Sequence, residues 1–181
     1  MVQSFAELDG AVAVAAEPYN VPDHPLWSGS ADGSVAVYWG ELVVVGRYFS
    51  PTRPFQEFRE YLDELNLVVK RHLACPVLIL GDFNSKSVTW GSPRTDQREM
   101  ALEDMLAACG LSVVNEGLQH TCVRQSGGSI VDVTFASPLV AARSVSEWRV
   151  RDDMEILSDH KYITMRVDVL LARQRGRRWA K

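Results

Sequence analysis

The chain reads as short apolar runs separated by polar breaks. Runs at "VAVAA", "VAVYW", "LVVVGRYF", "VLIL", "LSVVN", "IVDVTF", "EWRV" and "YITMRV" have the length and β-branched content of strands. Two longer stretches repeat with a helical period instead. Residues 54–73 place Phe58, Leu62, Leu65 and Val69 on one face, and residues 96–109 offer Met100, Leu102, Met105 and Leu106, with Gly110 as a stop. Strands outnumber helices and cluster late, which predicts a mixed sheet with covering helices rather than strict alternation of strand and helix.

Composition adds bounds to that picture. With 181 residues, 46% apolar and 23% charged, the chain suits one globular domain, taken as residues 1–168, followed by a basic tail or linker over 169–181. The formal net charge of −4 gives no global case for nucleic acid, so any such partner needs a local cationic surface or a bound cation. Cys75, Cys109 and Cys122 are odd in number and lack metal-ligand spacing, which fits reduced thiols in an intracellular protein. No apolar run approaches ~20 residues and the start lacks a signal-peptide pattern, so a soluble monomer with no membrane partner is expected.

The candidate chemistry sits at strand ends. In "LILGDFNSKSVTW" an apolar run ends by presenting Asp82 and Asn84 one residue apart, an acceptor carboxylate beside an amide that can donate. Such a pair can hold a water and an anionic oxygen; the alternative is an ordinary turn-forming pair. Asp132 lies between Val131 and Val133 in a strand-like run and needs a partner if buried, and His160 in "LSDHKYI" is the candidate. A carboxylate on one imidazole nitrogen fixes the tautomer and favours the charged ring, which can meet a phosphate. His24, His72 and His120 have no comparable setting and read as structural. Glu17 repeats the pattern of an apolar run ending in a carboxylate. Three carboxylates at strand ends with one histidine form a hard-oxygen site suited to Mg²⁺ rather than Zn²⁺. Glu17, Asp82, Asn84, Asp132, Asp159 and His160 together suggest metal-assisted attack of water on a phosphate ester.

The segments "EPYN", "RYFSPT", "LILGDFNSKSVTWGS", "DQREMALEDMLAACGLSVVNEG", "TCVRQSGGSIVDVTF" and "LSDHKYI" occur in order over roughly residues 12–167. In this they resemble the apurinic/apyrimidinic-type endonuclease domain of non-LTR retrotransposons, within the exonuclease-endonuclease-phosphatase superfamily. The resemblance implies a four-layered α/β sandwich of the deoxyribonuclease-I-like type, two packed sheets flanked by helices. It implies an Mg²⁺-dependent endonuclease, with Mn²⁺ as a substitute, that nicks DNA to leave a 3′ hydroxyl for reverse transcription. A downstream reverse transcriptase domain in a longer parent protein and nuclear action on chromosomal DNA go with it. By motif, Glu17 and Asp159 would bind metal, Asp82 would orient or deprotonate water, and Asn84 would hold a phosphate oxygen. Asp132 would orient His160, His160 would stabilise the phosphorane, and Tyr48 would bring a hydroxyl to the scissile phosphate. Asn84, Trp90 and His160 would face DNA.

Two departures from the family pattern stand out. The family's asparagine-bearing first strand has no counterpart before "MVQSFAELDG", and Gly40 alone separates two strand-like runs where the family has more sheet. A missing core strand and marginal stability are therefore expected. A catalytically impaired DNA-binding or interaction module, or a phosphatase of the same superfamily, is the alternative function.

Overall fold

The computed structural model describes residues 27–29, 35–38, 42–72, 74–156 and 158–168. The expected strand at "VAVAA", Glu17 and the basic tail lie outside these. The largest sheet runs in the order β1 (Trp27–Gly29), β2 (Val35–Tyr38), β3 (Val43–Tyr48), β4 (Val77–Asp82), β8 (Asp132–Ala136), β5 (Ser112–Val113). Two hairpins accompany it: β6 (Cys122–Arg124) with β7 (Gly127–Ser129), and β9 (Val145–Arg151) with β10 (Tyr162–Val167). The helices are α1 (Phe55–Arg71), α2 (Gln97–Cys109) and α3 (Pro138–Arg143), with a 3-10 turn at Val88–Trp90.

Alternation along the central strands divides the core in two. Val43, Val45, Val77, Ile79, Val133 and Phe135 point to one face, under Phe58, Leu62 and Leu65 of α1 and Leu102 and Leu106 of α2. Val44, Leu78 and Ala136 point to the other, where they meet Val140 of α3 and the partly buried Val145, Met165 and Val167 of the β9–β10 sheet. Trp148 of β9 donates its indole N–H to the Thr134 hydroxyl of β8 at 3.1 Å, tying the two sheets together across this second core. The result is an α/β sandwich, with two packed sheets and helices covering the outer face of the larger one. No helix among the described residues is long and apolar enough to cross a membrane.

The two strand-like runs on either side of Gly40 are neighbours in the large sheet. β2 and β3 pair directly and antiparallel, from Val35 opposite Arg47 to Tyr38 opposite Val44. β3 then pairs in parallel with β4, with α1 as the crossover between them. Gly81 is needed for this close approach, because a Cβ there would lie 1.9 Å from the Arg47 carbonyl oxygen.

α2 corrects one detail of the helical pattern. Met100 faces solvent at 55% exposure, whereas Glu99 is 1% exposed. At 3.6 residues per turn Glu99 shares a stripe with Leu102 and Leu106, so the buried face begins with a carboxylate. Gly110 ends α2 as expected, at φ 64°, donating its N–H to the helix's last carbonyls. β6 and β7 were not legible as strands, since "CVR" and "GGS" carry almost no apolar alternation.

Candidate active site

Three strand ends meet at one edge of the large sheet. β3 and β4 run in parallel and place Tyr48 beside Asp82, while β8 runs antiparallel and begins with Asp132 opposite Asp82. The sheet register thus aligns Tyr48, Asp82 and Asp132 in one row across adjacent strands. Asp82 and Asp132 are buried and Tyr48 is half-buried.

His160 arrives from the segment before β10, and the backbone of β6 holds it there. Val123 N–H donates to the Asp159 carbonyl at 2.8 Å, Lys161 N–H donates to the Thr121 carbonyl at 2.7 Å, and Cys122 and His160 form an isolated bridge. The imidazole Nδ1 lies 2.9 Å from Asp132 Oδ2 and 3.1 Å from Oδ1. Its Nε2 lies 3.8 Å from Asp82 Oδ2. With Nδ1–H donating to Asp132, the imidazole sits between two carboxylates.

Asp132 is itself fixed from behind. The Thr121 hydroxyl accepts from Asp132 N–H and Val131 N–H, both at 3.1 Å. Asn115 donates to the Asp132 carbonyl at 3.2 Å and accepts from Thr134 N–H at 2.7 Å. Sequence reasoning missed both Thr121 and Asn115. Their signal is weak, a polar residue at each end of the "VVNEGLQHT" loop that faces the start of β8.

Asn84 has a tighter role than its motif suggests. Its backbone takes φ 45°, in the left-handed region that asparagine tolerates better than most residues. This turns its amide back onto Asp82: the backbone N–H reaches Oδ1 at 2.9 Å and Nδ2 reaches Oδ2 at 2.7 Å. The same Nδ2 donates to the Phe49 carbonyl at 3.1 Å. Both amide hydrogens are thereby engaged, so Asn84 in this arrangement orients Asp82 rather than offering a free donor to a phosphate oxygen.

Charge in the cluster follows from burial and proximity. Burial, then the neighbouring Asp132 charge, pushes the Asp82 carboxyl up to about 7, against the opposing pull of Asn84 and His160. The hydrogen bond His160 donates to Asp132 raises the imidazole above its ordinary value despite the cost of burial, while the positive charge of Arg124 works against that rise. A buried carboxylate near neutrality beside a carboxylate-held imidazole can take a proton from water while the imidazolium faces developing negative charge.

The remaining expected residues divide. Asp159 is turned to the rim, 60% exposed in its side chain, and pairs with Arg124 through Nε at 3.2 Å. Adjacent residues in a turn point in different directions, so the carboxylate of Asp159 stands apart from the pocket His160 occupies. Trp90 departs from the expected DNA contact: it is 3% exposed and packs edge-on against Phe135 with ring centroids 6.1 Å apart. The segment after Asn84 folds under α2 and carries the indole into the core.

Ligand atoms of Asp82, Asp132 and His160 lie within 4.8 Å of one another. Two buried carboxylates without a full countercharge, one of them titrating near neutrality, fit a hard divalent cation, for which oxygen ligands, waters and substrate phosphates usually suffice.

Fold and site together define a nuclease of the exonuclease-endonuclease-phosphatase superfamily, a hydrolase group that generally uses divalent metal. A family model described as endonuclease-reverse transcriptase matches residues 42–164, and the chain belongs to that family. Among solved structures, the endonuclease domain of TRAS1, a telomere-specific non-LTR retrotransposon, is 28% identical with a TM-score of 0.67, covering 83% of this chain and 67% of that one. A 3′-5′ exonuclease from Neisseria meningitidis shares the fold at 19% identity and a TM-score of 0.60, over 83% of this chain and 70% of its own. An AP endonuclease from Archaeoglobus fulgidus does so at 14% and 0.64, over 82% and 72%. No curated protein matches the chain.

Proposed function

We propose that this chain is an Mg²⁺-dependent DNA endonuclease that nicks one strand to a 3′ hydroxyl for target-primed reverse transcription. The observation that carries the reading is the imidazole of His160 held by Asp132 at 2.9 Å with Asp82 on its far side. Asp82, oriented by Asn84, accepts a proton from the attacking water as its oxygen bonds to phosphorus. His160, charged and fixed by Asp132, faces the negative charge that develops on the phosphoryl oxygens. The P–O3′ bond breaks, leaving a 5′ phosphate and a 3′ oxygen that collects a proton. Tyr48, level with Asp82 in the sheet, supplies a hydroxyl on the same edge. Mg²⁺, or Mn²⁺ in its place, supplies neutralisation of phosphate charge when bound. Asp82 would share the ion, with Glu17 and Asp159 the ligands implied by the family resemblance. The parent context proposed is a longer protein with a reverse transcriptase domain, acting on chromosomal DNA in the nucleus.

The test is nicking of supercoiled plasmid with Mg²⁺ and with chelator, alongside Asp82→Ala. Nicking by the unaltered chain alone, and only with metal, is the expected result. DNA binding without nicking would instead support an impaired module, and phosphate release from a soluble ester without nicking would support a phosphatase.

A further inference from the structure

We infer that Arg124 is a phosphate-binding side chain of this site, held by Asp159 in the free protein and handed to the DNA backbone when substrate arrives. The inference rests on the DNA-cleaving reading above. Arg124 ends β6, and Asp159 immediately precedes His160. Their contact is not a chance meeting of two long side chains. The Val123 N–H to Asp159 carbonyl bond of 2.8 Å and the bridge between Cys122 and His160 set the two backbones side by side.

Charge accounting shows why the cation matters. Asp82 and Asp132 flank a single histidine, Asp159 stands at the rim beside it, and a phosphodiester adds another negative charge. Arg124 is a cation on this rim, paired with Asp159 through Nε at 3.2 Å. The pair it makes with Asp159 is open to solvent, with side chains 53% and 60% exposed, and exposed ion pairs of this kind contribute little to stability. A guanidinium on a phosphate makes charge-assisted, often bidentate bonds that are stronger. Exchange of Asp159 for a phosphate is therefore favoured on binding, and it releases the Asp159 carboxylate next to His160 at the moment the site fills.

The experiment is binding of a fluorescent duplex DNA in chelator, where no cutting occurs, by the unaltered chain, Arg124→Gln, Asp159→Asn and the double variant. Arg124→Gln should weaken binding by roughly 3- to 10-fold and lower the salt slope by about one. Asp159→Asn should tighten binding, and the loss caused by Arg124→Gln should be larger in the Asp159→Asn background, where no partner competes for the guanidinium. Arg124→Lys, which keeps charge without the fork, should fall between. Equal binding by Arg124→Gln and the unaltered chain, or an identical Arg124→Gln effect in both backgrounds, overturns the inference. If the unaltered chain nicks plasmid with Mg²⁺ while Arg124→Gln binds normally, only the exchange falls. A chain that binds no DNA removes both.

Discussion

Two carboxyl pairs among the described residues are drawn wholly or partly out of water, and they differ in what accompanies them. Asp82 and Asp132 face each other across adjacent strands with His160 between them. Glu99 and Glu103 lie one turn apart on α2 with only hydroxyls for company: Ser87 donates to Glu99 at 2.5 Å and lies 3.1 Å from Glu103, and Thr89 donates to Glu103. Burial pushes the Glu99 carboxyl up, while hydrogen bonds from Thr89 and Glu99 pull Glu103 down. Neutral donors stabilise that arrangement but move no charge. At the strand ends, by contrast, Asp82 and His160 are both shifted upward and share an open edge of the sheet. A buried acid becomes a candidate site when a second titrating group and access to substrate come with it.

The sharpest way to break this comparison is to neutralise one member of each pair. Asp132→Asn keeps the shape but removes the carboxylate that orients His160, and nicking should fall by roughly 10²-fold or more. Glu99→Gln is equally isosteric and equally buried, and nicking should stay within about threefold because the amide still accepts from Ser87. Rates measured under one Mg²⁺ concentration decide it. If Glu99→Gln is as damaging as Asp132→Asn, the helical pair belongs to the catalytic machinery after all.

Much of the strand-end pair was legible because polarity reverses abruptly there: "LILGDFN" and "IVDVTF" each interrupt a buried run with a carboxylate. His160 was legible only through the need of Asp132 for a donor. Three things were hidden, each for a local reason. The inward turn of Asn84 depends on a positive φ that its residue type permits but does not announce. The rim position of Asp159 depends on the β6–β7 hairpin, whose glycines and polar residues leave no strand pattern. Glu99 was read past because the apolar stripe of α2 was drawn through Met100, one residue and about 100° away from the face that is buried.

Acidity offers a second separation of the two pairs. Asp82 is held up to about 7 from an ordinary value of 3.8, so the folded chain binds more protons than the unfolded one between those limits. His160 is also raised, which adds stability that is present below its unfolded value and lost as pH rises through its folded one. Both effects have the same sign: in chelator, stability should fall as pH rises from about 4 to beyond 7, by on the order of 2–4 kcal/mol. For a chain of this size that corresponds to roughly 5–10 °C in Tm. At the helical pair a raised Glu99 and a lowered Glu103 work in opposite directions. Melting curves against pH should therefore flatten in Asp82→Asn and hardly change in Glu99→Gln. A profile unaltered by Asp82→Asn would mean that Asp82 is ionised in the folded chain throughout this range.

The smallest effect isolates what the helical pair contributes. Ser87 is wholly buried, caps the 3-10 turn by accepting from Thr89 N–H at 2.9 Å, and gives its hydrogen to Glu99. Glu99 already has one carboxyl oxygen, Oε2, buried without a partner. Ser87→Ala would leave the other unsatisfied as well and would uncap the turn, costing about 1–3 kcal/mol. Because Ser92 N–H donates to the Ser87 carbonyl at 2.8 Å, the backbone path of this segment should survive the change. The expected signature is a lower Tm with Asp82 and Asn84 undisturbed, read as an unchanged nicking rate well below the transition. A rate loss at a temperature where Ser87→Ala remains folded would show that the carboxyl pair on α2 positions the segment leaving the active site, and the contrast between the two pairs would narrow accordingly.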